Sequence, residues 1–193
     1  MKILVIDNYD SFTYNLVYIL RQESNNVEVY RNDKITPEAC LNYDVIVLSP
    51  GPGIPENAGN LMQIISTCAG KVPILGICLG HQAIAEYLGG KLRMLSEVYH
   101  GVQSEVKLIN ANLSLFEGLP LTFQAGRYHS WDIDETQGGD FEITAKTKDN
   151  SIMAIQNIKQ KLYGIQFHPE SILTPDGDVI IRNFLNICKE EAS

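Results

Sequence analysis

No stretch of this chain concentrates positive charge. Its 193 residues carry 15 Lys and Arg against 23 Asp and Glu, a formal net charge of −8. Phosphate backbones are held by clustered basic side chains, so no nucleic-acid partner is expected. The four cysteines (Cys40, Cys68, Cys78 and Cys188) include no C-x-x-C pair. That removes the usual pattern of a zinc site or a dithiol redox motif, and no metal or other cofactor is implied. Long apolar runs are missing too: none approaches the ~18 residues of a membrane span. The opening MKILVIDNYD has an apolar run that stops at Asp7, short of a signal sequence and without a small-residue cleavage site. The expectation is a protein without membrane contact in a reduced, cytoplasmic compartment, where an even cysteine count implies no disulfides. Repeats, low-complexity tracts and linkers are likewise absent, so one domain over 1–193 is expected.

What is present is an alternation of short apolar runs and helical patterns. Residues 3–6, 27–30, 45–48 and 72–77 read as buried strands. Phe12, Leu16 and Leu20 recur at helical spacing, with Asp10 or Ser11 as the expected N-cap, and residues 61–68 form a second helix. Leu79, Ala83, Ile84, Tyr87 and Leu88 make one apolar helix face that ends at Gly89-Gly90. This β-α-β-α order predicts a doubly wound, mainly parallel α/β sheet with helices on both faces. Residues 102–109, 141–146, 152–156 and 162–167 read as strands with few helices between them, which suggests antiparallel additions to the same sheet. A last helix carries Ile181, Phe184, Leu185 and Cys188 on one face.

Three stretches carry chemistry. Gly76-Ile77-Cys78-Leu79-Gly80 joins a strand to a helix, the form of a nucleophile elbow with Cys in place of Ser. The glycines permit the sharp turn, and the helix N-terminus favours a thiolate. On this pentapeptide alone, a small hydrophobe in a tight turn explains the residues equally well. A thiol nucleophile needs a base, and His168 in GIQFHPES ends an apolar strand. If that strand is parallel to the one before Cys78, both residues lie on one sheet edge. Glu170, two residues on, is placed to fix the imidazole tautomer and stabilise its charged form. Taken alone, His168 reads better as a surface histidine at a strand end. Ser49-Pro50-Gly51-Pro52-Gly53 also follows a strand. Its prolines stiffen it and its glycines expose N–H groups, which with the N–H of Leu79 suit an oxyanion; a rigid turn is the plainer reading.

GICLGHQ, SPGPG and FHPES, in that order, resemble the class I, triad-type glutamine amidotransferases, whose fold is flavodoxin-like. DNYDSFTYNL, FEGLP and RYHS narrow the resemblance to the branch that serves chorismate-using synthases, and it covers essentially the whole chain. The resemblance implies that Cys78 attacks the side-chain amide of L-glutamine, that His168 protonates the leaving ammonia, and that Glu170 completes the triad. It assigns glutamine binding to Gly51, Pro52, Gly53, Leu79 and Gln82, and to the backbone of Ser130 and Trp131. It also implies a partner, a chorismate-using synthase large subunit that receives the ammonia. Anthranilate synthesis comes first, with aminodeoxychorismate synthesis or dual use as the alternative. The chain departs from the branch at Val102-Gln103, where Lys-Thr is frequent, and at Trp131, where an aliphatic residue is common. Two other readings compete: a module that only stabilises its synthase, and a free-standing thiol hydrolase acting on another γ-glutamyl compound.

Overall fold

The computed structural model describes residues 1–109 and 114–191. The first half runs β1 (Ile3–Asp7), α1 (Thr13–Glu23), β2 (Val27–Arg31), β3 (Val45–Leu48), α2 (Leu61–Cys68), β4 (Ile74–Ile77) and α3 (Leu79–Tyr87). The second half is β5 (Leu92–Met94), β6 (Val102–Leu108), β7 (Thr122–Arg127), β8 (Trp131–Ile133), β9 (Glu142–Thr147), β10 (Ile152–Asn157), β11 (Leu162–Ile165) and α4 (Gly177–Glu191).

Among the described residues, nine strands form one sheet in the order β2-β1-β3-β4-β11-β10-β9-β6-β7, and β5 pairs with β8 separately. The five strands from β2 to β11 are mutually parallel. From β10 onward the sheet is extended by antiparallel pairing. The strand expected over 162–167 is therefore not one of the antiparallel additions to the edge. It lies against β4 in parallel, because Leu162, Tyr163 and Ile165 are buried and need cover on both faces.

Period-two alternation divides the core. Ile3, Val5, Val45 and Val47 face one way and pack under Leu16 and Leu20 of α1 and Ile181 and Phe184 of α4. Leu4, Ile6, Ile46 and Leu48 face the other way and meet Leu61 and Ile65 of α2 and Ala83 and Ile84 of α3. The start of α1 differs from the expected cap. Phe12 holds the N-cap position with no side-chain bond. Asp10 accepts from the Phe12 N–H at 2.8 Å, and Asp7 Oδ1 gathers the Tyr9 N–H and the Thr13 hydroxyl, each at 2.9 Å. The carboxylate that ends β1 thus organises the turn. No described helix is long and apolar enough to cross a membrane.

Candidate active site

The chain reverses strand order between β1 and β3, and the crevice beyond the C-terminal ends of the parallel strands is where such sheets bind ligands. The segments that follow β1, β3, β4 and β11 all arrive there. Cys78, between β4 and α3, has φ 52° and ψ −101°. A non-glycine residue held at positive φ stores strain, and here it turns the thiol out of the strand-to-helix corner. The flanking glycines are required by close approach. A Cβ on Gly76 would run into the Gly80 carbonyl, and one on Gly80 would lie 2.7 Å from Leu48 Cβ and 2.8 Å from its carbonyl oxygen. The helix therefore sits directly on β3, with its unpaired first-turn N–H groups beside the sulfur.

The parallel pairing of β11 with β4 brings His168 to the same edge. His168 Nδ1 and Glu170 Oε1 are 2.6 Å apart, and both side chains are almost completely buried. Burial alone would depress the pKa of the ring. The Cys78 sulfur and the Glu170 carboxylate beside it more than reverse this, and push His168 up to about 10. Nε2 has no hydrogen-bond partner among the described residues. It is the ring nitrogen left for chemistry, since Glu170 holds the other. Thiol, imidazole and carboxylate, expected to converge, are together.

The loop after β3 is fastened to the end of β1. Asn8 Nδ2 donates to the Ser49 carbonyl at 2.7 Å, and the Asn8 N–H donates to the Ser49 hydroxyl at 2.8 Å. Gly51 lies so close that a Cβ there would sit 2.6 Å from Asn8 Cβ and 2.8 Å from Leu79 Cδ2. Gly51, Pro52, Gly53, Cys78, Gln82, Ser130 and Trp131 all line one cleft of about 180 Å³. Leu79, just behind it, is buried. All ten residues singled out from sequence thus lie in or against one site. Among the described residues, no carboxylate lines the cleft and no group has the make-up of a metal site.

Several residues of the site escaped sequence reading. Tyr128 is one: its carbonyl oxygen lies 3.9 Å from the Cys78 sulfur, its ring packs 4.8 Å from that of His168, and its hydroxyl meets the Ser171 hydroxyl at 3.1 Å. Arg127 is another, a buried cation whose guanidinium lies 3.5 Å over the Tyr99 ring and bonds to His129 and Ser151. Burial pushes His129 down to about 4 and His81 to about 3, so both rings are neutral. His81 is wedged between α3 and β11, where a Cβ on Gly164 would lie 2.7 Å from its Nδ1. Gln103, at the departure from the branch pattern, donates to the Leu173 carbonyl at 2.9 Å and ties β6 to the segment after Glu170. No local motif announces these contacts.

The family model for class-I glutamine amidotransferases matches residues 4–188. The chain is 48% identical over 190 residues to anthranilate synthase component 2 of Lactococcus lactis, covering 97% of this chain and 96% of that one. It is 43% identical over 192 residues to the aminodeoxychorismate/anthranilate synthase component 2 of Bacillus subtilis, covering 98% of each. Among solved structures, a protein from Thermoplasma acidophilum assigned to GMP synthase superposes with a TM-score of 0.85 at 27% identity, over 100% of this chain and 96% of that one. A glutamine amidotransferase from Thermotoga maritima shares the fold, with a TM-score of 0.76 at 18% identity over 99% of this chain and 83% of that one. With the family model spanning nearly its full length and relatives of this similarity, the chain belongs to the class-I glutamine amidotransferases.

Proposed function

We propose that this chain is the glutaminase subunit of a chorismate-using synthase, with anthranilate as the product. The observation that carries the reading is the strained Cys78 elbow, which lines the cleft of about 180 Å³ and stands beside the 2.6 Å His168–Glu170 pair. Cys78 attacks the side-chain amide carbon with its proton already held by His168, whose pKa lies well above neutrality. The oxyanion is held by the N–H of Leu79 and of the Gly51–Gly53 loop. His168 returns the proton to the leaving nitrogen, Glu170 keeps the ring aligned, and water then releases glutamate from the thioester. The α-ammonium needs acceptors. With no carboxylate in the cleft wall, the Gln82 side-chain oxygen fills that role, and the backbone N–H groups at Ser130 and Trp131 suit the α-carboxylate.

The ammonia needs a receiver. A second cavity, of about 270 Å³, lies beside His168 and Glu170 and is bounded by Phe12, Tyr128, Ser171 and Ile172. Its rim is apolar and open: Ile172 is 94% exposed and Phe12 46%. Such a rim next to a leaving-group site fits a docking face for the synthase subunit. The names of the Lactococcus and Bacillus relatives support that partner, and the double name of the Bacillus protein keeps aminodeoxychorismate as a second product. The test is reconstitution with chorismate and each synthase large subunit in turn, following product with glutamine as the sole nitrogen source. Product formation with the anthranilate-type synthase is expected. Support of neither synthase, with ammonia-fed controls active, would remove the proposal.

A further inference from the structure

Two side-chain amides meet behind the cleft wall. Gln82 Nε2 lies 3.0 Å from the Trp131 carbonyl oxygen and 3.0 Å from Gln166 Oε1. A carbonyl only accepts, so the Gln82 atom touching it is the NH2 group, and the Gln166 atom touching that NH2 is an oxygen. One main-chain carbonyl thus fixes both amides. The same carbonyl is held from its other side. Arg127 Nε, which can only donate, gives its hydrogen to His129 Nε2 at 3.0 Å. The His129 proton is therefore on Nδ1, which donates to the Trp131 carbonyl at 2.8 Å. Both lone pairs of that carbonyl and both Gln82 amide hydrogens are then used, and Gln82 Oε1 is the polar atom left to face the cleft.

This arrangement leaves Gln166 Nε2 fully buried with no hydrogen-bond partner among the described residues. A buried amide without an acceptor is a standing penalty that calls for an explanation. Turning the Gln166 amide would set its NH2 against the Gln82 NH2, and Gln82 would have to release Trp131. The orphaned group and the orientation of Gln82 are thus one feature.

We propose that Gln166 is a positioning residue for substrate recognition: by accepting from Gln82 it holds the Gln82 oxygen toward the cleft, where that oxygen receives the α-ammonium of glutamine. The Arg127–His129 pair secures the second anchor of the same amide. The inference rests on the glutamine reading of the cleft given above.

Labelling of Cys78 in the full chain tests it, with two probes read by mass spectrometry over a range of concentrations. One is a diazo-ketone analogue of glutamine, which keeps the α-ammonium; the other is iodoacetamide, which does not use Gln82. For Gln166→Leu, the half-saturating concentration of the analogue is expected to rise about tenfold. Its saturating rate and the iodoacetamide rate should stay within about twofold of wild type. Gln166→Glu, which keeps an oxygen at the same reach, should remain within about threefold. An unchanged half-saturation in Gln166→Leu would overturn the proposal. So would an iodoacetamide rate that falls in step, or a Gln166→Glu variant as impaired as Gln166→Leu with its iodoacetamide rate intact. Wild type that takes iodoacetamide on Cys78 but never the glutamine analogue would instead bring down the glutamine reading itself.

Discussion

The balance at His168 decides what the thiol can do. Burial opposes charge on the ring, yet its two anionic-capable neighbours win and carry the pKa to about 10. Glu170 supplies part of that lift, so Glu170→Gln should lower it. In the proposed reaction the ring is the acid when ammonia leaves. The alkaline limb of glutamine-dependent kcat/KM should therefore move to lower pH in Glu170→Gln, with a rate loss of about 10²-fold or more. A limb that stays in place would mean that Glu170 does not tune the ring. Cys78→Ala should abolish glutamine-dependent synthesis while ammonia-dependent synthesis by the assembled complex persists; retained glutaminase activity would rule out the nucleophile. These residues stand out in the sequence because each is a reactive type beside turn-forming glycine or proline. Arg127 and Gln166 do not. Their roles come from partners such as Ser151, 24 residues from Arg127, and Gln82, 84 residues from Gln166, and no local pattern encodes such meetings.

At the scale of elements, β1, β3 and β4 announced themselves by short apolar runs, β11 read as one of the antiparallel additions, and the order of strand and helix predicted the wound sheet. The strands β5, β7 and β8 did not. Two have three residues each, and β7 (TFQAGR) mixes polar residues and glycine with its apolar ones, so no apolar run marks it. The packing of α3 on β3 gives a sharp comparison between two glycines. Gly80→Ala improves helix propensity by up to about 1 kcal/mol. The new methyl nevertheless lies under 3 Å from Leu48, on both its side chain and its backbone. Overpacking of that kind costs about 1–3 kcal/mol and wins, lifting the helix that carries Cys78. Gly53→Ala meets open space, and its cost is only that of φ +75°, about 1–2 kcal/mol. Urea unfolding with iodoacetamide labelling should show Gly80→Ala losing both stability and Cys78 reactivity, whereas Gly53→Ala keeps its reactivity. Equal reactivity in the two variants would detach the elbow from its seat on β3.

For the molecule as a whole, three buried histidines pull the pH dependence of stability in opposite directions. His81 and His129 fold as neutral rings, with pKa values near 3 and 4, against about 6.5 in the unfolded chain. Below pH 6.5 the unfolded chain binds protons that the native state refuses, so stability falls with acid. The limiting slope for two protons is about 2.7 kcal/mol per pH unit. Asp132, whose pKa burial raises, offsets part of this at the lower end of the range. His168 acts the other way. Its contribution is complete below pH 6.5 and drains away as the pH rises toward about 10, because the unfolded chain gives up that proton first. Urea midpoints should accordingly peak near pH 6.5 and drop toward both pH 5 and pH 8.5. The His81 ring makes no well-formed hydrogen bond among the described residues, its one weak partner being the Gly164 backbone, so removing the ring sacrifices little. His81→Leu should hold its stability at pH 7 while the acid slope shrinks toward that of one proton. A flat profile between pH 7 and pH 5, or an acid slope untouched by His81→Leu, would show that the protons are taken up elsewhere.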